Sequence, residues 1–229
     1  VYIASPNTLH AQQAIAMMRG GNHVLCETPV AISPEEVQAM IDTARKHKVA
    51  FMEAMKTTLL PNFFQVRKAL GRIGKIRRFT ANFCQYSSKY DQFQNGVVAS
   101  AFNPQMKGGA LRDLGVYGIA PMLHLFGTPW EGEFSEEKLK QTVTVQKTLV
   151  YPGGDTDLSK GIDGHGTMTV RYPSMEAVIT YSKITDSNLP SEIQGENGTI
   201  LIDRLSQMTH PTLVMRNGVG ARGDSGFHN

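Results

Sequence analysis

Cysteine is scarce: Cys26 and Cys84 are the only two among 229 residues. Two thiols lying in separate apolar, strand-like runs make neither a disulfide framework nor a metal site by spacing. They read as buried structural thiols of a reducing, cytoplasmic setting. Long apolar runs are also missing, since nothing approaches the roughly 20 residues that span a bilayer. That excludes a membrane-spanning helix. Charge of one sign is not in excess either: 23 basic and 20 acidic residues leave a formal +3. So small a surplus gives no footprint for a nucleic acid, and the cluster Lys68, Arg72, Lys75, Arg77 and Arg78 reads as a solvated turn. The histidines lie singly, without the spacing of a zinc site, so metal-dependent hydrolysis has no support.

What is present is an ordinary globular composition, 41% hydrophobic and 19% charged, long enough for one large domain or two small ones. From Val1 to about Leu70 short apolar strands alternate with amphipathic helices, the pattern of βαβ units around a parallel sheet. The expected strands are Val1 to Ser5, His23 to Glu27 and Val49 to Ala54. Between them Ala11, Ala14, Ile15 and Met18, then Val37, Met40, Ile41 and Ala44, recur at helical spacing. Ser33, Pro34 and Glu36 form a capping box at the start of the second helix.

After Gly71 the texture becomes mostly antiparallel. Strands are expected over 74–87, 142–151, 166–172, 177–182, 191–194 and 199–202, with turns at Pro173-Ser174 and Glu196-Asn197-Gly198. One helix, from about Gly109 to Phe126, interrupts them before a Gly127-Thr128-Pro129 stop. The expected class is therefore α/β plus α+β: a Rossmann-type parallel sheet, incomplete, followed by an open sheet with helix on one face. The division is expected at residues 1–70 and 71–229.

Four blocks in order, VYIASPNTLH, GNHVLCETPVA, FMEAMKTTLLPNF leading into GRIGKIRRFTANF, and GGALRDLGVYGI followed by LFGTPW, resemble the glucose-fructose oxidoreductase, inositol dehydrogenase and rhizopine-catabolism (Gfo/Idh/MocA) family. The resemblance covers nearly the whole chain. It implies an oxidoreductase that uses NAD or NADP on a sugar, polyol or related small molecule, and a homo-oligomer formed through the C-terminal sheet. It also implies that Asp113 and Tyr117 match the family's aspartate and its acid/base tyrosine.

Two departures qualify the match. The family opens with a strand, a glycine-rich phosphate turn and a helix, and by that pattern roughly 60 residues, about two βαβ units, are expected ahead of Val1. A literal G-x-G-x-x-G does occur at Gly218 to Gly223, but it lacks the strand before and the helix after that a phosphate cradle needs. It reads, with Arg222-Gly223-Asp224, as a flexible C-terminal tail. The second departure is Thr28, where the family carries a lysine between Glu27 and Pro29 that assists proton transfer. A threonine has no charge to offer, so it is expected not to lower the pKa of a neighbouring phenol.

Ligands of open α/β sheets bind beyond the carboxyl ends of the strands. Those ends offer Ser5, Pro6, Asn7 and His10, then Glu27, Thr28 and Pro29, then Glu53, Met55 and Lys56. Ser5, Pro6, Asn7, His10, Glu27, Thr28 and Pro29 are the candidate cofactor contacts, although Asn7 and Thr8 serve equally well as helix caps. Asp113 and Tyr117, four residues apart, share a helix face. A tyrosine acts as a base near neutral pH only with a nearby cation, and Lys56 is the positional candidate to replace the missing lysine. His124 lies roughly 16 Å of helix rise from Asp113, too far to join them. Against this reading stands a non-catalytic protein that uses its antiparallel sheet for dimerisation or binding.

Overall fold

A computed structural model describes residues 1–217 and 221–226. In the first part, β1 (Tyr2–Ile3), β2 (Val24–Cys26) and β3 (Phe51–Glu53) pair in parallel in that order. They alternate with α1 (His10–Arg19) and α2 (Pro34–His47). Each strand is shorter at its ends than the apolar runs suggest, because a parallel ladder stops where its neighbour stops. One face of this sheet packs Ile3, Val24 and Cys26 against Ala11, Ala14 and Met18 of α1 and Met40 and Ala44 of α2. The helical periodicity placed those positions correctly.

At the start of α2 the Ser33 hydroxyl accepts from Glu36 N at 3.3 Å, as the capping box requires. The Glu36 carboxylate reaches one residue further back than expected and accepts from Ile32 N at 3.0 Å. A cap of this kind contributes about 1 kcal/mol to the helix.

The second part is an eight-stranded sheet made by β4 (Ile76–Cys84), β5 (Val143–Val150), β6 (Ile162–Arg171), β7 (Glu176–Ser182), β8 (Ser191–Gly195), β9 (Gly198–Ile202), β10 (Thr212–Asn217) and β11 (Ala221–Gly226). Its order is β11-β10-β9-β8-β4-β7-β6-β5. Only the β4–β7 pair is parallel. Helix α3 (Pro61–Ala69) and α5 (Val116–Phe126) lie on one face, and the short α4 (Tyr90–Gln94) and α6 (Glu136–Thr142) sit in the connections. Every second residue of β6 is buried, the period of a strand with one face in the core. Phe79, Ala81, Val170, Ile179 and Tyr181 of the sheet meet Met122 of α5 and Phe63, Val66 and Ala69 of α3. Helix α3, although within the first 70 residues, thus buries its apolar side in the second core.

Two expectations are corrected. The helix expected over 109–126 begins as a wider π turn, Leu111–Gly115, before continuing as α5. The Asp163 carboxylate accepts from Leu111 N at 2.7 Å and so holds the first turn. It leaves no space for a side chain at residue 109, where glycine sits at φ 110°. The supposed flexible tail is also structured in part: Ala221–Gly226 pairs with β10, so Ala221, Arg222 and Gly223 belong to an antiparallel edge strand. Gly218, Val219 and Gly220 lie outside the described residues.

Candidate active site

The carboxyl ends of β1 and β2 face the start of the π turn across a cleft of about 190 Å³. Ser5, Pro6, Asn7, Thr28 and Pro29 form one wall; Ala101, Met106, Gly108 and Asp113 form the other. The segment from 100 to 109 is fastened to the first part, since Asn7 Nδ2 donates to Lys107 O at 2.9 Å and Thr8 Oγ1 contacts Met106 Sδ at 3.7 Å. Asn7 and Thr8 therefore hold the opposite wall rather than capping α1. Ser5 Oγ donates to Gln13 Oε1 at 2.7 Å.

His10 is only 1% exposed. Its Nδ1 lies 2.9 Å from Pro29 O and its Nε2 2.7 Å from Ser5 O. Both ring nitrogens are committed to backbone carbonyls, so the expected cofactor contact is replaced by a clamp joining the ends of β1 and β2. Glu53, at the end of β3, completes the clamp by accepting from Val30 N at 3.0 Å. Burial pushes the Glu53 carboxyl above its usual range, against the Val30 hydrogen bond that pulls it down. Glu27 is engaged on both oxygens: the Tyr2 hydroxyl donates to one and Thr28 N to the other. The Thr28–Pro29 peptide is cis.

Tyr117 reaches toward this same loop from α5. Its ring meets Phe83 of β4 edge to face, with centroids 5.4 Å apart. Burial raises the Tyr117 pKa above the ordinary tyrosine value, and the Glu27, Asp113 and Glu53 carboxylates push it in the same direction. The Thr28 side chain pulls the other way. Thr28 thus acts in the lowering direction without a formal charge, which the expectation did not allow for. The opposing effects outweigh it.

Lys56 is exposed, at the first position of the short 3-10 turn Lys56–Leu59. It is not among the groups that act on Tyr117. A buried cation in this region is Lys183, which follows β7. Its side chain is 3% exposed and its Nζ lies 2.5 Å from Asp113 Oδ2. Sequence reasoning missed Lys183, although a lysine directly after an apolar strand at its carboxyl end was the available signal. His124 packs its ring against Phe63, centroids 6.3 Å apart, and takes no part in the cleft.

A short parallel sheet whose carboxyl ends meet an open, mostly antiparallel sheet across a polar cleft defines a two-part class of protein. The comparisons agree with that architecture. The first part, residues 1–55, matches the model of an oxidoreductase family with an NAD-binding Rossmann fold, and residues 65–201 match the GFO/IDH/MocA C-terminal domain. The chain belongs to the GFO/IDH/MocA oxidoreductase family.

It is 46% identical over 218 residues to scyllo-inositol 2-dehydrogenase (NADP(+)) IolU of Bacillus subtilis, covering 95% of this chain and 61% of that protein. It is 38% identical to the uncharacterized oxidoreductase YgjR of Escherichia coli, covering 94% and 60%. The chain thus spans about three fifths of the length of these relatives. Among solved structures, levoglucosan dehydrogenase in complex with NADH and levoglucosan superposes with a TM-score of 0.77 at 23% identity, covering all of this chain and 60% of that one. At that identity the likeness is one of fold.

Proposed function

We propose that the protein is an NAD(P)-dependent oxidoreductase of a sugar, polyol or related hydroxyl or carbonyl compound, with Tyr117 as acid/base and Asp113 beside it. The observation that carries this reading is the meeting of Asp113 with Thr28 and Pro29 in one cleft, with Tyr117 four residues beyond Asp113 and near enough to Thr28 to respond to its side chain. Relatives named as dehydrogenases, IolU with NADP(+) among them, support the same class.

The residues present fit the nicotinamide end of a dinucleotide. Pro6 and Pro29 give a flat ring an apolar wall, while Ser5 and Thr28 place hydroxyls beside it. When bound, the nicotinamide accepts or supplies the hydride. Glu27, fixed by Tyr2 and by Thr28 N, shapes the loop on that side. Among the described residues no strand-to-helix glycine turn offers backbone N–H groups to a pyrophosphate, and Gly223 lies in an edge strand.

Tyr117 holds the proton that the substrate oxygen gains or loses. With its pKa raised, the group remains a phenol at neutral pH, which suits proton donation to a carbonyl oxygen. In the oxidative direction the phenolate is needed, so that rate rises as the pH becomes alkaline. Asp113 accepts a hydrogen bond from a substrate hydroxyl and orients it.

We assign residues 1–70 to the cofactor side, with α3 as the part of it that packs into the second core, and 71–229 to substrate and subunit contacts. The sheet face opposite α5 carries half-exposed Thr80, Thr167, Thr169 and Thr180, and a homo-oligomer through that face, in the cytoplasm, completes the reading. Both cysteines are free, as a reducing compartment allows. Among the described residues no helix is long and apolar enough to cross a membrane.

The test is turnover by the full-length gene product with NAD+ and NADP+ over a panel of inositols, other polyols and aldoses, alongside Tyr117→Phe. Turnover that falls about 100- to 10,000-fold in the variant supports the assignment. Cofactor and substrate binding without turnover would favour a non-catalytic protein, the reading that the missing cation at Tyr117 supports.

A further inference from the structure

We propose that Lys183 is a positioning residue for the reaction in this cleft: its buried ammonium fixes the Asp113 carboxylate and ties it to Ala101 on the same wall. The proposal rests on the functional reading above, in which Asp113 meets the substrate. Lysine is almost never fully buried unless paired, and Lys183 is 2% exposed. Its ammonium has three N–H groups, and their surroundings are accounted for. Asp113 Oδ2 lies at 2.5 Å and Ala101 O at 3.2 Å, while the Phe102 ring centroid is 4.7 Å away. All three partners belong to the stretch between residues 101 and 113, which supplies one wall of the cleft.

The arrangement divides the two oxygens of Asp113. Oδ2 is held by Lys183, whereas Oδ1 has no hydrogen bond among the described residues and the side chain is 50% exposed. One oxygen is anchored and the other is available as an acceptor for a substrate hydroxyl. Lys183 itself lies behind the cleft wall and is absent from the groups that act on the Tyr117 phenol. Its effect on the chemistry therefore passes through Asp113 and the Ala101–Phe102 wall. Misplacing a reacting group by about 1 Å can cost on the order of 100-fold in rate.

The test is a double-substitution cycle in the full-length gene product, with Lys183→Met, Asp113→Asn and the pair, reading kcat, the KM values and thermal unfolding. Lys183→Met is expected to lower kcat about 100-fold while the KM for the cofactor stays within about twofold. In the Asp113→Asn background the same change is expected to alter kcat by less than about threefold. Losses that multiply, or a Lys183→Met protein with wild-type kcat, would overturn the proposal.

If Lys183→Met alone does not fold, the paired variant, which removes both charges, decides. Its kcat should match that of Asp113→Asn, and a further tenfold loss would contradict the assignment. If the wild-type protein turns over nothing in the panel, the functional reading has failed on its own account. The unfolding cycle then reads the Lys183–Asp113 link without activity: coupled losses in melting temperature support it, and additive losses refute it.

Discussion

Asp113 and Tyr117 stand four residues apart, yet their surroundings have opposite electrostatic character. The carboxylate of Asp113 rests on a buried ammonium. Burial and the Glu27, Asp113 and Glu53 carboxylates push the Tyr117 pKa up, and the Thr28 side chain is the group that pulls it down. The difference shows that placing a cation near a site does not place it at the reacting atom. Lys183 pairs with an acceptor on the cleft wall, whereas residue 28, whose side chain acts on the phenol, is a neutral threonine. An acid/base tyrosine set among carboxylates favours proton donation at neutral pH and removal only under alkaline conditions.

The sharpest way to break the comparison is to remove the phenol, where Tyr117→Phe is expected to lower kcat about 100- to 10,000-fold with its fold intact by thermal unfolding. Next comes Lys183→Met, with its loss of about 100-fold in kcat, which tests whether the Asp113 side depends on its cation. A third variant leaves both groups in place and loosens the loop between them. His10→Leu deletes the contacts to the part-buried Ser5 O and Pro29 O, at roughly 1–3 kcal/mol. Scanning calorimetry should record a melting temperature lower by about 2–10 °C. The smallest effect is expected far from the cleft: Arg78→Ala breaks an exposed ion pair with Glu176 and should move the melting temperature by no more than about 2 °C.

Much of the fold was legible because its signals are local. Ala11, Ala14 and Met18 mark the buried side of α1 by spacing alone, and the alternation within 177–182 marks β7. What escaped depends on contacts distant in sequence. The width of the π turn at Leu111–Gly115 follows from a carboxylate 52 residues away, Asp163. The edge pairing of Ala221–Gly226 needs β10 beside it, and glycine-rich composition conceals it. At the site, Asp113, Thr28 and Pro29 do converge on one cleft, as their strand-end and helix positions suggested. His10 is turned inward, with its ring nitrogens against Ser5 O and Pro29 O. Lys56 stays exposed and away from Tyr117, while Lys183, 70 residues from Asp113 in sequence, pairs with Asp113 instead, a separation that no local pattern bridges.

The account turns on the missing cation at Tyr117, and the pH dependence of substrate oxidation in wild type and Thr28→Lys tests it directly. A cation at residue 28 favours the phenolate and lowers the pKa of the group. The account predicts a wild-type rate that keeps rising beyond the ordinary tyrosine range, and a Thr28→Lys limb displaced to lower pH with faster oxidation near neutrality. A wild-type limb already complete near neutral pH, or one that Thr28→Lys leaves in place, would contradict it.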